Sequence, residues 1–247
     1  MVQLLDGWEK QHGCVLDFVL QVGDFEPHRH ERDLESASIP AKYRSLGDFP
    51  DFIAGRASFR WPVYFIGGNH EPYGFLETIP GGGEVAPRCH YLGRVGRLER
   101  DGLVIVGLTG IYKEAAFGRR PTLGALGGTP KKAFTYFSEE DVKRALAFGR
   151  ADVLVLHEWP LGAITPEQRD DARARRRGQD ADAIGNPWAR ELVDRLRPRL
   201  VVAGHMHWRH RSRIGPSLFA AMGHIDTGRD ALGVFAVREE GGIEELE

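Results

Sequence analysis

The chain has 247 residues, of which 42% are hydrophobic and 28% charged, with a formal net charge of −2. That balance excludes collagen, coiled coil and wholesale disorder, and it leaves no global positive field to draw nucleic acid or an anionic membrane. The length allows one large α/β domain with a buried core, and residues 1–247 are expected to form a single domain.

The opening residues, MVQLLDGWEKQHG, lack the basic and then apolar pattern of a signal peptide. Leu4–Lys10 reads as a helix. No apolar stretch approaches the ~18 residues of a membrane span. A cytoplasmic protein with no membrane partner is expected. Cys14 and Cys89 supply neither a disulfide framework nor metal-site spacing. Val15–Val22 reads as a buried strand running into Gly23-Asp24. Val63–Ile66 is a second strand and runs into Gly67-Gly-Asn-His-Glu71. Leu103–Leu108 is a third. Asp152–Leu156 is a fourth and ends at His157. Leu200–Ala203 is a fifth and ends at Gly204-His-Met-His207. Near-continuous apolar runs bounded by Gly mark strands covered on both faces. Between them lie helical patterns. One is Ser138–Phe148, with Ser138 as cap and Asp141 in the first turn. Another is Trp188–Leu196, opened by Asn186 and Pro187. After Arg209, the segments Ser217–Met222 and Gly233–Arg238 read as antiparallel strands.

Four of these strands end directly in polar residues that bind metals. Ligands in open α/β sheets sit at the carboxyl ends of the strands. The pattern therefore gathers Asp24, Asn69, His70, His157, His205 and His207 on one rim. Mixed oxygen and nitrogen donors without Cys suit one or two divalent cations of the Mn, Fe, Co, Ni or Zn type and argue against a structural zinc site. In an extended Gly204-His-Met-His207, positions two apart point the same way, so both imidazoles would face one cation.

The order Gly-Asp, Gly-Asn-His-Glu, His, Gly-His-x-His resembles the calcineurin-like metallophosphoesterase superfamily. Further segments resemble its RNA lariat-debranching branch: Ile39-Pro-Ala-Lys-Tyr-Arg44, Gly82-Gly-Glu-Val-Ala-Pro87, Tyr91-Leu-Gly93 and Gly107-Leu-Thr-Gly-Ile-Tyr-Lys113. His157-Glu-Trp-Pro160 is similar to that branch's His-Asp-Trp-Pro. Asn186-Pro-Trp-Ala-Arg-Glu-Leu192 with Leu196-Arg-Pro198 is similar to its last helix.

The resemblance implies a four-layer α/β/β/α sandwich of two mixed sheets. It also implies metal-dependent phosphoester hydrolysis by metal-activated water, on a phosphodiester of RNA or a small nucleotide. Asp24 would be the bridging carboxylate. Asn69, His157 and His205 would complete one metal site, and His207 would belong to a second. His70 would protonate the leaving oxygen, with Glu71 orienting it. The cations implied are Mn, Fe, Zn or Ni. The alternatives are a phosphomonoesterase or protein phosphatase, or a truncated, weakly active or inactive metal-binding relative.

The pattern breaks at the front. The family begins with a strand ending in Asp-x-His-Gly or Cys-x-His-Gly, which supplies further ligands of the second site. Lys10-Gln-His-Gly13 carries Lys where the ligand belongs and follows no strand. The fold's first strand is thus expected to be missing. The expectation is a natural chain that starts earlier, with Val15–Val22 left as an open edge. His28 and His30 read as loop histidines near the depleted site. The 167–182 segment, rich in both charge signs, reads as a solvated helix or a lid. Arg209–Arg213 reads as a strand whose arginines reach an anionic substrate.

Overall fold

The computed structural model describes residues 1–175, 184–238 and 241–246. In chain order the principal elements are α1 (Val2–His12), β1 (Val19–Gln21), α2 (Glu31–Leu34), α3 (Phe49–Ile53), β2 (Val63–Phe65), α4 (Tyr73–Leu76), β3 (Gly83–Ala86), β4 (Cys89–Tyr91), β5 (Val95–Arg100) and β6 (Leu103–Leu108). There follow α5 (Glu139–Leu146), β7 (Val153–Leu156), α6 (Arg169–Arg175), α7 (Pro187–Leu196), β8 (Leu200–Ala203), β9 (His210–Ile214), β10 (Ser217–Ala221), β11 (Val234–Val237) and β12 (Ile243–Leu246). Among the described residues no helix is long and apolar enough to cross a membrane.

Two mixed sheets dominate. One has four strands in the order β1-β2-β4-β3, the other six in the order β5-β6-β7-β8-β10-β9; β11 and β12 form a separate antiparallel pair. The period-2 alternation of side chains decides what each sheet face buries. On β7, Leu154 and Leu156 pack toward α5 and α7, beside Val142, Ala145, Leu192 and Leu196. The alternate residues Val153 and Val155 pack the other way, against Ile66, Leu20 and Val22 of the four-stranded sheet. On β2, Tyr64 joins that inter-sheet layer, while Val63 and Phe65 meet Phe49, Tyr73 and Leu76 on the far side. Three apolar layers separate four structural ones, which is the expected α/β/β/α sandwich. A run such as Leu103–Leu108, buried at every position, is apolar throughout because both its faces are covered.

The helix starts follow their capping chemistry. Ser138 accepts from the Asp141 N–H, and the Asp141 carboxylate accepts from the Ser138 N–H, so two otherwise orphaned amides are satisfied reciprocally. Asn186 accepts from Ala189 at the start of α7, with Pro187 in the first turn.

Two expectations need correction. Only Val19–Gln21 of the Val15–Val22 run is strand, in register with Val63–Phe65. The Leu16 N–H instead donates to the Glu9 carboxylate at 2.7 Å, and the same oxygen accepts from the Trp61 indole at 2.8 Å. This ties the approach to β1 onto α1, and Val15 remains exposed. β1 forms the edge of its sheet, with no second strand beside it among the described residues. Ser217–Met222 is not purely antiparallel either. β10 pairs antiparallel with β9 but parallel with β8, Leu218 opposite Leu200. Its carboxyl end therefore lies beside that of β8.

Candidate active site

The loops that follow β1, β2, β7 and β8 bring their polar residues together. Asp24 has left-handed backbone, with φ +55°. Its Oδ1 accepts from the N–H groups of Asn69 at 2.8 Å and His70 at 2.9 Å. Its Oδ2 faces His157 Nε2 at 3.3 Å. The same Nε2 lies 3.2 Å from Asn69 Oδ1. His157 Nδ1 is 2.8 Å from the Val22 carbonyl. A carbonyl only accepts, so Nδ1 carries the proton and the neutral ring keeps its lone pair on Nε2, toward Asp24 and Asn69. The His205 ring packs against His157 with centroids 4.9 Å apart.

The glycines in these loops are there for close approach. A Cβ at Gly68 would lie 2.6 Å from His157 Cε1 and against Asp24 Oδ1. A Cβ at Gly23 would run into His157 Nδ1. Only glycine lets the two loops and the imidazole share this space.

The electrostatics follow from burial and pairing. Burial alone would raise the Asp24 carboxyl, but the facing His157 imidazole, and after it His70, hold it well below the usual carboxylate range. Burial opposes protonation of His157, yet the Asp24 carboxylate raises it above the usual imidazole value. Glu71 is pushed up to about 8 by burial and then by the Asp24 charge, against the pull of the backbone N–H groups it binds. Burial, and then His224, lower His207.

The donor set fits a divalent cation. Two donors about 2.1 Å from one ion, at octahedral to tetrahedral angles, stand about 3.0–3.4 Å apart, which brackets the 3.2 and 3.3 Å separations around His157 Nε2. Among the described residues no three His, Cys, Asp or Glu side chains form a ready-made cage; the third converging donor here is the Asn69 amide oxygen. Asn69, Asp24 and His157 are thus brought together, with His205 alongside.

Three sequence expectations change at the site. Gly204-His-Met-His207 is a bend and not an extended strand, with His205 at φ +67° and His207 at φ +65°. Non-glycine residues held left-handed cost free energy and mark functional loops. The turn separates the two rings: His205 packs on His157, and His207 packs on His224 with centroids 5.2 Å apart. Glu71 does not orient His70. It is fully buried and accepts from Phe25 at 3.0 Å, Glu26 at 2.9 Å and Gly68 at 3.1 Å. It pins the Asp24 loop to the β2 loop. The His70 ring is set by Ser38, whose carbonyl lies 3.1 Å from Nδ1. Lastly, Arg209 just before β9 and Arg211 within it are used internally, and the exposed Arg213 donates to Pro216 O. Arg209 donates to Leu232 O and Glu245, and Arg211 donates to Glu245, His210 O and Ala221 O.

His28 is buried with both ring nitrogens lacking a hydrogen bond, Glu26 standing 3.5 Å away. His30 faces Asp33 at 3.9 Å. Of the 167–182 segment, Arg169–Arg175 is helix, and residues 176–183 lie outside the described residues. Trp159 is core, donating to Gly204 O at 2.7 Å. Two residues were missed from the sequence. Glu158 accepts from the Tyr112 N–H and from Asn186 Nδ2, joining three loops behind His157. His224 follows β10 through Gly223, the same strand-Gly-His order that marked the other loops.

The calcineurin-like phosphoesterase family matches residues 3–209. The chain is 29% identical over 232 residues to the lariat debranching enzyme of Entamoeba histolytica, covering 91% of this chain and 65% of that protein. It is 31% identical over 205 residues to the lariat debranching enzyme of Schizosaccharomyces pombe, covering 78% and 43%. To that of Caenorhabditis briggsae it is 32% identical over 215 residues, covering 81% and 42%. The chain spans about two-fifths to two-thirds of the length of these relatives. A crystal structure of a Thermus thermophilus protein superposes with a TM-score of 0.50 at 11% identity, covering 99% of this chain and 91% of that one. At that identity the likeness is one of fold.

Proposed function

Because this chain belongs to the calcineurin-like phosphoesterase family, we propose that it hydrolyses phosphodiester bonds of RNA or a small nucleotide, using divalent cations held by Asp24, Asn69, His157 and His205, with His207 beside them. The observation that carries this reading is that Asn69 Oδ1 and Asp24 Oδ2 lie 3.2 and 3.3 Å from His157 Nε2, in loops that follow three different strands. The similarity to lariat debranching enzymes favours an RNA phosphodiester as the substrate class.

A bound divalent cation supplies charge neutralisation at the phosphoryl group and makes water a competent nucleophile at neutral pH. Oxygen and imidazole donors without thiolate suit Mn, Fe, Ni or Zn. The protein's own residues do the rest. Asp24 is fixed by two backbone amides on one oxygen, which leaves Oδ2 for the cation. His157 is locked in the correct tautomer by the Val22 carbonyl. The Ser38 carbonyl holds the His70 Nδ1–H, so Nε2 is the nitrogen that can deliver a proton to the leaving oxygen. Glu71 holds the loops that carry Asp24 and Asn69 in register.

The test is hydrolysis of bis(p-nitrophenyl) phosphate by chelator-treated protein resupplied with Mn²⁺, Fe²⁺, Ni²⁺ or Zn²⁺. Stimulation by at least one cation, lost in Asp24→Asn, is the expected result. No stimulation by any of them overturns the reading. Comparing p-nitrophenyl phosphate with the diester separates a monoesterase from a diesterase. Comparing a 2′,5′-branched with a linear oligoribonucleotide tests the branched-RNA assignment.

A further inference from the structure

Tyr73 opens α4, directly after the loop that carries Asn69 and His70, and its side chain is fully buried. Its hydroxyl turns back into that loop and donates to the Gly68 carbonyl at 2.5 Å. A carbonyl only accepts, so the phenol must keep its proton. Burial secures this by raising it well above its ordinary value, against the pull of the Arg94 guanidinium. The Gly68 carbonyl and the Asn69 N–H belong to one planar peptide and point to opposite sides of it. That N–H donates to Asp24 Oδ1 at 2.8 Å. A hydroxyl that pins the carbonyl end therefore sets the direction of the N–H end, and with it which Asp24 oxygen stays open. We propose that Tyr73 is a positioning residue of this site: its hydroxyl fixes the Gly68–Asn69 peptide so that the Asn69 N–H holds Asp24 Oδ1 and Oδ2 is left facing the donors of Asn69 and His157.

The surroundings hold the ring in this place. A Cβ at Gly67 would stand 3.0 Å from the Tyr73 hydroxyl and 2.8 Å from Thr109 Cγ2, so the loop closes on the hydroxyl because residue 67 has no side chain. The Arg94 guanidinium lies over the face of the ring, 4.2 Å from its centroid. Arg94 is fully buried. It pairs with Glu77, which Arg120 joins at 3.4 Å, and it donates to Phe134 O at 2.5 Å. A buried guanidinium is costly to desolvate, and apolar residues of similar volume often serve stability as well. Here the charge sits where it attracts the ring and strengthens the hydroxyl as a donor. Tyr73 and Arg94 both lie outside the segments that resemble the family. The same Gly68 has its N–H held by Glu71 at 3.1 Å, so its two polar groups are gripped from opposite ends.

The proposal rests on the metal-dependent reading above, and its test separates the two. Tyr73→Phe removes the hydroxyl and keeps the ring under Arg94. Full-length, chelator-treated variant and wild type are compared by amide hydrogen exchange in NMR spectra and by calorimetric titration with Mn²⁺, with folding checked by circular dichroism. In the metal-free variant the Asn69 amide should exchange about 2–10-fold faster, while the amides of β2 and α4 keep their wild-type rates. The Mn²⁺ dissociation constant should rise about 10-fold, as it does when a group that orients a metal ligand is lost. Unchanged Asn69 exchange overturns the proposal whether or not a cation binds. Unchanged Mn²⁺ affinity, in a wild type that binds the ion, also overturns it, and faster exchange spread through β2 and α4 then assigns the hydroxyl to packing alone. A wild type that binds no cation overturns the metal-dependent reading; the exchange measurement, made without metal, still decides whether Tyr73 orients the peptide.

Discussion

Replacing Glu71 by alanine tests whether this residue acts in proton transfer or holds the site together. Its carboxylate is fully buried and accepts from three backbone N–H groups, those of Phe25, Glu26 and Gly68. Glu71 is ionised above its value of about 8, so the comparison is made at a pH above that; there a hydrogen bond to the charged group contributes about 1.5–3 kcal/mol, and an amide left buried and unpaired costs about 1–3 kcal/mol. Removing the carboxylate also removes the cost of burying it next to Asp24, so the net loss is smaller than the sum of three bonds. Breaking such a buried charged network costs about 3–5 kcal/mol. At about 2–4 °C per kcal/mol for a domain of this size, the melting temperature of Glu71→Ala should fall by about 6–20 °C. Glu71→Gln keeps one acceptor oxygen but turns an amide NH₂ toward one backbone donor, so its loss should be about 1–3 kcal/mol. The assay is urea denaturation with the m-value monitored, alongside calorimetric cation binding. Both variants should bind the cation at Asp24 more weakly, because the Asp24 loop loses its anchor to the β2 loop. Wild-type stability in Glu71→Ala refutes the reasoning. So does a Glu71→Gln protein that keeps its stability and cation affinity but loses turnover, since that behaviour belongs to a group at the reacting atoms.

His70→Ala should lower kcat on the diester by about 10²–10⁴ with cation stoichiometry unchanged; an unchanged kcat removes the acid role. Gly68→Ala drives a methyl group against Asp24 and His157 and should abolish cation binding in calorimetry, a result that near-wild-type affinity would contradict. Burial, and after it the Glu84 charge, push the Cys89 thiol up to about 12, while Cys14 is exposed. Ellman's reagent at pH 8 should therefore titrate one thiol quickly and the second only in denaturant, and two fast thiols would refute the packing around Cys89. The Asp33 carboxyl is raised by burial but lowered more by its bonds from Arg29, and ends below its ordinary value of 3.8. A lowered carboxyl stabilises the fold above its unfolded value and loses that contribution as pH falls through the folded value. Arg29→Gln should thus be less stable than wild type by about 1 kcal/mol above pH ~4, with the gap closing at lower pH; a gap independent of pH refutes the pairing.

Much of this arrangement was legible in the sequence because its causes are local. An apolar run followed by Gly and a metal-capable residue encodes a strand end and the polar residue it presents, so the placement of Asp24, Asn69, His157 and His205 along one rim is legible in the sequence. The capping pairs Ser138–Asp141 and Asn186–Ala189 lie within three residues of each other and set the starts of α5 and α7. Runs such as Leu103–Leu108, apolar at every position, marked strands covered on both faces; the count of four layers came from the family resemblance.

Contacts distant in sequence were decided only by the tertiary structure. The resemblance implied that Glu71 orients His70, yet its three donors come from another loop and from Gly68, because a buried carboxylate must collect whatever N–H groups the packing offers. His224 carries the same strand-Gly-His signal as His205, but its place beside His207 depends on β10 lying parallel to β8, and strand order is not written in local periodicity. The left-handed turns at His205 and His207 likewise send two imidazoles that alternate in sequence to different partners. Local periodicity and capping, which act over a few residues, thus determined the elements and the chemical class of the site. The pairing of β10 with β8 and the close approach of the glycine loops, which depend on strands distant in sequence, decided which histidines meet.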